Sequence, residues 1–316
     1  MRILVTGGAG FIGSNFIHHM LKKHPDYEFV VLDKLTYAGR LENLRDVIKD
    51  IDFIRGDICN RVDVEKSIKD CNAILNFAAE THVDRSIIGA GSFMETNLRG
   101  TYVLLEALRK FDVEKFIQIS TDEVYGSIGK GSFREDDPLK PNSPYSASKA
   151  GADMLVRSYN VTYSLPTIIT RSSNNYGPYQ YPEKIIPLFI TNLILGMNVP
   201  LYGDGLNVRD WIHVDDNCRG IDAVLHNGKL GDIYNIASDC EKTNQELTHE
   251  ILELTGKDER SIEYVPDRLG HDRRYSLDCK KIKALGWMPE IDLDTGLRGT
   301  ITWYEESRWW WEPLRK

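Results

Sequence analysis

Short runs of β-branched and aliphatic residues alternate with stretches in which apolar positions recur every three or four residues. This alternation organises the first half of the chain. Arg2–Thr6, Glu28–Asp33, Asp52–Arg55, Ala73–Phe77 and Lys115–Ser120 read as strands. Asn15–Lys23, Val62–Lys69 and Met94–Lys110 read as helices, the last with Val103, Leu104, Ala107 and Leu108 at helical spacing. Strands that are apolar throughout, rather than at every second position, belong to a parallel sheet covered on both faces. The second half is less regular. Proline and glycine cluster from Gly177 to Gly205, four tryptophans crowd Trp303 to Trp311, and Ile233–Ala237 reads as a strand returning to the large sheet. The pattern predicts an α/β fold with a doubly wound parallel sheet and a smaller C-terminal domain. The expected division assigns residues 1–174, with returning segments near 207–237, to the first domain, and 175–206 with 238–316 to the second.

The first strand runs into Gly7-Gly8-Ala9-Gly10-Phe11-Ile12-Gly13, which contains GxGxxG at Gly8, Gly10 and Gly13. Between a strand and a helix, this is the fingerprint of a Rossmann dinucleotide site. Glycine lets the backbone turn tightly and approach a pyrophosphate, which the free N–H groups of the helix then hold. Asp33 ends the second strand at the position of an acid that binds the ribose 2′-hydroxyl. A carboxylate there repels a 2′-phosphate, so NAD is favoured over NADP, although Lys34 follows it. Asp57 closes the third strand as an adenine-side contact.

Tyr145-Ser146-Ala147-Ser148-Lys149 places a tyrosine and a lysine four residues apart at the opening of a helix after Pro144. They share one face. A lysine there is expected to lower the phenol pKa and fit the tyrosine for base chemistry near neutrality. The strand before it ends in Ser120-Thr121-Asp122-Glu123. Ligands of doubly wound sheets lie at the carboxyl ends of strands, so Thr121, Asp122 and Glu123 are aimed at the place Tyr145 reaches. Strand neighbours point to opposite sides, so both acids can serve one ligand only if the chain bends there.

Composition narrows the class. A net charge of -8 argues against non-specific nucleic-acid binding. Five cysteines, odd in number and with no CxxC, suggest a reducing compartment and neither a disulfide framework nor a zinc knuckle. No leader is evident, and the longest apolar stretch, around Ile185 to Leu195, is too short to span a bilayer, so the expectation is a cytoplasmic protein. His82 and His271 stand at no metal-ligand spacing, and no metal site is expected.

Taken together, the chain resembles the extended short-chain dehydrogenase/reductases, and among them the dTDP-glucose 4,6-dehydratases. The likeness runs nearly end to end. It is carried by TGGAGFIG, AAETHVDRSI from Ala78, STDEVYG from Ser120, PYSASKAGAD from Pro144, NNYGPYQYPEK from Asn174, RDW from Arg209 and DRLGHDRRY from Asp267. The resemblance implies that Tyr145, helped by Lys149, takes the proton of the sugar O4 while hydride leaves C4 for NAD. Thr121 would bond O4, Glu123 would remove the C5 proton, and a protonated Asp122 would release the C6 hydroxyl as water. Hydride would return to C6, leaving a 4-keto-6-deoxy sugar and recycled NAD. The resemblance also adds Leu35, Thr36, Ile58 and Phe77 to the cofactor site, together with Ala78, Ala79, Glu80, Thr96 and Asn175. It places Thr81, Asn174, Glu183 and Lys184 against the nucleotide sugar. Further along it adds Pro200, Leu201, Tyr202 and Arg209, then Asn244, Asp267, Arg268 and His271. It implies a homodimer through a four-helix bundle. Leu269, Ser172, Ser173 and Ser238–Glu241 depart from the family pattern. Two other readings stay open: a 4-epimerase or decarboxylase of the same fold, and a non-catalytic NAD-binding protein.

Overall fold

The computed structural model describes residues 1–315. Seven parallel strands form the central sheet in the order β10-β6-β5-β4-β1-β2-β3. They are β1 (Arg2–Thr6), β2 (Glu28–Asp33), β3 (Ile51–Arg55), β4 (Ala73–Asn76), β5 (Lys115–Thr121), β6 (Thr167–Ser172) and β10 (Ile233–Ile236). β4 and β6 are buried at every position and β1, β2 and β5 at nearly every one, which is why they carry no in–out alternation. Two apolar clusters cover the two faces. One holds Phe16, Ile17, Val31 and Ile221, and the other Val30, Leu104, Phe116 and Val156.

The strand order reverses between β1 and β4, and a crevice opens beyond their carboxyl ends. Helix α1 (Phe11–Lys23) leaves β1 through the glycine turn, and α2 (Arg61–Ile68) follows β3. After β4 come α3 (Val83–Ile88), the short α4 (Gly91–Phe93) and α5 (Thr101–Leu108). The helix expected over Met94–Lys110 is interrupted at its start, because Met94–Gly100 is wound as a π turn. Such turns widen a helix, often at functional sites. Asn97 in this turn accepts from the Glu80 N–H (2.8 Å) and donates to the Glu80 carbonyl (3.0 Å) and to Ser148 Oγ (2.8 Å). One carboxamide thereby ties the loop after β4 to helix α6 (Pro144–Tyr163).

The remaining elements build a second lobe. β7 (Asn174–Tyr176), β9 (Val208–His213) and β11 (Glu241–Thr243) form a three-stranded sheet, and β8 (Val199–Tyr202) pairs with β12 (Ile262–Val265). Helices α7 (Ile185–Ile194), α9 (Asn244–Leu254), α11 (Leu293–Glu306) and α12 (Arg308–Trp311) surround a third core of Ile186, Phe189, Leu247, Leu297 and Tyr304. Helix α10 (Lys280–Lys283) and α8 (Val214–Asn227) pack back towards the large sheet, α8 lying along α1. Among the described residues no helix is long and apolar enough to cross a membrane.

The tryptophan cluster seals this lobe. Trp310 and Trp311 are fully buried, and Trp310 Nε1 donates to Asn43 Oδ1 at 2.7 Å, joining the C-terminus to the large domain. Trp309 is half exposed. Trp310→Ala is expected to cost about 3–5 kcal/mol through lost burial and a cavity, whereas Trp309→Ala should stay within about 0.5–1 kcal/mol. Urea unfolding of both variants checks the contrast.

Candidate active site

The crevice is a cleft of about 410 Å³ that runs from the glycine turn to the end of β5. At one end, Gly7 adopts φ +69°, and a Cβ there would lie 2.5 Å from the Ala78 nitrogen. A Cβ on Gly13 would lie 2.5 Å from the Gly7 carbonyl. Gly10 caps α1 without a side chain, so its first N–H groups face the cleft uncapped by any side chain. Phe11 and Ile12 also line the wall. This cradle fits a pyrophosphate: the backbone can come close and no side chain stands in the way.

Asp33 is buried at the end of β2, where burial raises its carboxyl pKa and backbone bonds from Leu35 N–H (2.8 Å) and Ala9 N–H (2.9 Å) counter the rise. Two N–H donors leave further acceptor positions on the same carboxylate for ribose hydroxyls. Lys34, Thr36, Asp57 and Ile58 line the adenine end, with Lys34 paired to Asp57 at 2.7 Å. Leu35 does not line the cleft. Its backbone takes φ +56° to bond Asp33, and its side chain packs on the core instead. Phe77, Ala78, Ala79, Glu80, Thr96 and Asn175 complete the middle of the cleft.

The chemical end is built by two turns. Thr121 caps a 3-10 turn over Asp122–Tyr125, its hydroxyl accepting from the Glu123 N–H at 3.3 Å and donating to Asp122 Oδ1 at 3.1 Å. Gly126 at φ +80° ends the turn. The bend carries both acids into the cleft wall beside Thr121. Opposite, Ser143 and Ser146 cap α6 reciprocally with Pro144 at its first position, so Tyr145 and Lys149 project from its first two turns. Tyr145 packs edge-on to Phe93 with ring centres 6.3 Å apart.

The charges at this end are coupled. Burial first, and the Glu123 carboxylate second, push the Asp122 pKa up to about 8, so Asp122 is protonated at neutral pH. Asp122 Oδ2 has no partner within the protein. Glu123 is also raised by burial, but Arg268, Lys184 and Arg209 oppose the rise. Both acids are thus raised by burial, and the three cations act on Glu123 in the opposite direction, favouring its charged form. Burial pushes the Lys149 pKa down to about 8, and the charge of Asp153 holds it up. Asp153, buried on the next turn of α6, pairs with Arg171 at 2.9 Å.

One expectation is corrected. Tyr145 does not have a lowered pKa in the free chain: burial, then Glu123, drive it well above the ordinary phenol value. Lys149 Nζ donates to the Ile119 carbonyl at 2.6 Å, and its charge is not what sets the phenol. The tyrosine rests as a neutral phenol.

Thr81, Asn174, Glu183 and Lys184 line the same cleft. Lys184 Nζ donates to the Thr81 carbonyl (2.8 Å), and Glu183 accepts from Tyr37 (2.7 Å) and pairs with Arg85 (3.0 Å). Arg209 is buried, donating to the Asp272 carbonyl at 2.9 Å and stacked over Tyr275 at 4.2 Å. Arg268 and Arg209 both act on His271, which bonds Asp267 at 2.6 Å and meets the edge of Tyr202. Arg209 and Arg268 are near enough for their charges to act on Glu123. Neither they nor Pro200, Leu201, Tyr202, Asn244, Asp267 and His271 are among the residues that line the cleft. Leu201 is buried in β8, and Asn244 opens α9 with its N–H on the Asn207 carbonyl (2.9 Å). Gln180, Tyr181 and Ser173 also line the cleft. Nothing in their local pattern marked them, and Asp272 acts through its carbonyl, which any residue could provide.

A reversing parallel sheet, a glycine cradle and a Tyr–Lys pair define an enzyme of the extended short-chain dehydrogenase/reductase class. The model of the family GDP-mannose 4,6 dehydratase matches residues 4–300, and the chain belongs to that family. It is 52% identical over 322 residues to the dTDP-glucose 4,6-dehydratase of Streptomyces antibioticus, covering 100% of this chain and 96% of that one. The crystal structure of DesIV, a dTDP-glucose 4,6-dehydratase from Streptomyces venezuelae with NAD and TYD bound, superposes with a TM-score of 0.98 at 52% identity and full coverage of both chains. The UDP-glucose 4-epimerase of Thermus thermophilus in complex with NAD has a TM-score of 0.90 at 33% identity, over 96% of this chain and 99% of that one.

Asp122 yields a stability test. An acid whose folded pKa lies above its unfolded value binds more protons when folded, so stability falls as pH rises from about 4 to about 8. Asp122→Asn removes that titration. It should gain stability over the parent through this window, by at least about 1.4 kcal/mol at pH 8, and hold a constant margin above it. Urea unfolding at several pH values reads the margin, and a pH-independent difference would refute the assignment.

Proposed function

We propose that this protein converts dTDP-glucose to dTDP-4-keto-6-deoxyglucose and water, using NAD that stays bound and is recycled. The observation that carries the reading is the 3-10 turn after β5. It sets a protonated acid, Asp122, and a carboxylate, Glu123, beside Tyr145 in one cleft. An epimerase needs no such pair, because it removes no water. The relatives named dTDP-glucose 4,6-dehydratase and the NAD-bound structure support the same reading.

The glycine cradle and Asp33 would hold NAD, which when bound would supply hydride-acceptor chemistry at C4 and hydride-donor chemistry at C6. Tyr145 takes the O4 proton as general base, with Lys149 held on the Ile119 carbonyl to stabilise the phenolate as it forms. Thr121 holds O4. Once C4 is a ketone, the C5 hydrogen is acidic, and Glu123 removes it. Asp122 passes its proton to the C6 oxygen, which leaves as water; the C5–H and C6–O bonds break and the C5–C6 double bond forms. Hydride addition at C6 opens that double bond, Glu123 returns a proton to C5, and the O4 proton taken by Tyr145 replaces the one Asp122 gave up. Arg209, Arg268 and Lys184 hold the diphosphate and nucleotide, where guanidinium forks suit phosphate oxygens. Residues 1–174 with returning segments near 207–237 carry the cofactor, and 175–206 with 238–316 carry the nucleotide, joined there by Arg209 on β9 of the small sheet. A homodimer through α5 and α6 is part of this reading: Tyr102, Met154, Val161 and Tyr163 are large apolar side chains left exposed on those helices.

The deciding experiment incubates the purified protein, without added NAD, with dTDP-glucose and in parallel with UDP-glucose. The 4-keto-6-deoxy product should form from the dTDP sugar, and its absence from both would end the assignment. Tyr145→Phe should lower kcat by about 10²–10⁴. Glu123→Gln should still oxidise C4 but lose both water release and solvent-deuterium incorporation at C5. A Glu123→Gln enzyme that turned over at the parent rate would remove Glu123 as the base.

A further inference from the structure

Far from the cleft, α1 ends against α8, and four basic side chains converge on one buried carboxylate. Asp222 has a side chain only 1% exposed. Its Oδ1 lies 3.3 Å from His24 Nε2 and 2.8 Å from His226 Nδ1. Its Oδ2 receives Lys23 Nζ at 2.6 Å and His19 Nε2 at 3.3 Å. Histidine spacing along the chain gave no sign of this group, because His24 and Asp222 are 198 residues apart in sequence.

We propose that His24, Asp222 and His226 form a site for a divalent transition cation of the zinc type, outside the catalytic cleft. Their ligand atoms lie within 4.8 Å of one another. Bonds of about 2.0–2.2 Å in a tetrahedron place ligand atoms about 3.3–3.6 Å apart, which the His24–Asp222 pair already meets. Two imidazoles and a carboxylate suit zinc-type ions, and three protein ligands leave a fourth position for water. His226 and Asp222 sit four residues apart on α8, so the backbone already holds two ligands on one face.

The surroundings match what such ligands require. The second oxygen of a ligating carboxylate should be hydrogen-bonded, and Lys23 and His19 do this at Oδ2. The far nitrogen of a ligating imidazole should also have a partner, and Tyr27 OH lies 2.9 Å from His226 Nε2. His226 Nδ1 lies 3.0 Å from the Asp222 carbonyl. A metal ion on Nδ1 leaves Nε2 to donate to the Tyr27 hydroxyl. His24 is held in place by stacking on Tyr27 and on His226, with ring centres 4.7 and 4.8 Å apart.

Calorimetric titration of chelator-stripped, untagged full-length protein with zinc chloride tests the site. One equivalent should bind, and His226→Ala, whose ring is on the surface, should weaken it at least about tenfold while leaving sugar dehydration by the metal-free enzyme unchanged. His24→Ala should weaken it similarly. Cobalt substitution should show tetrahedral ligand-field bands without thiolate charge transfer. Binding weaker than about 1 mM, affinity unchanged in both histidine variants, or a thiolate signature from the five free cysteines would overturn the proposal.

Discussion

The molecule depends on burying two carboxyl groups side by side at the carboxyl end of β5. Their burial is unfavourable: desolvation lifts both pKa values, and the charge of Glu123 lifts that of Asp122 further. The structure accommodates them with a cap from Thr121, a proton on Asp122 and an arc of cations, Lys184, Arg209 and Arg268, around Glu123. All three of those cations come from the second lobe. In the proposed function, the same arc that acts on Glu123 would supply the positive charge a nucleotide diphosphate needs, so electrostatic balance and substrate recognition would be one arrangement.

A second chain of charges lies behind the first. Lys149, Asp153 and Arg171 run from α6 into the sheet, and Arg171 Nη1 donates to Tyr125 OH at 2.7 Å. Tyr125 closes the same turn that holds the acids and donates to Asn235 Oδ1 at 2.9 Å on β10. Arg171 thus ties α6, through Asp153, to the turn that presents Asp122, and Lys149 is linked to the same group by the charge of Asp153 alone. Buried hydrogen bonds of this kind rigidify what they touch, which is what a site acting on three adjacent sugar carbons requires.

Much of this was legible along the chain. The strands of the large sheet were readable because they are buried on both faces, and the glycine cradle because only glycine tolerates the approach of Ala78 to Gly7. Tyr145 and Lys149 were readable as a pair because an α-helix makes residues four apart neighbours. The π turn at Met94–Gly100 was not, since its apolar spacing is also that of an α-helix. Leu35 read as a cofactor contact because it sits among residues that line the cleft, yet its backbone bonds Asp33 and its side chain packs on the core. Asp272 escaped notice because its contribution to Arg209 is a carbonyl.

The sequence by itself determined the parallel α/β core, the glycine cradle and the candidates for reactive side chains. These follow from local rules: periodicity, glycine conformation and helical spacing. Only the tertiary structure decided that Asp122 and Glu123 bend into one cleft, that Arg209 and Arg268 face them from the other lobe, and that Tyr145 rests as a neutral phenol. It alone brought His24 to Asp222. Protonation and proximity depend on what surrounds a group in space, and most of those neighbours are distant along the chain.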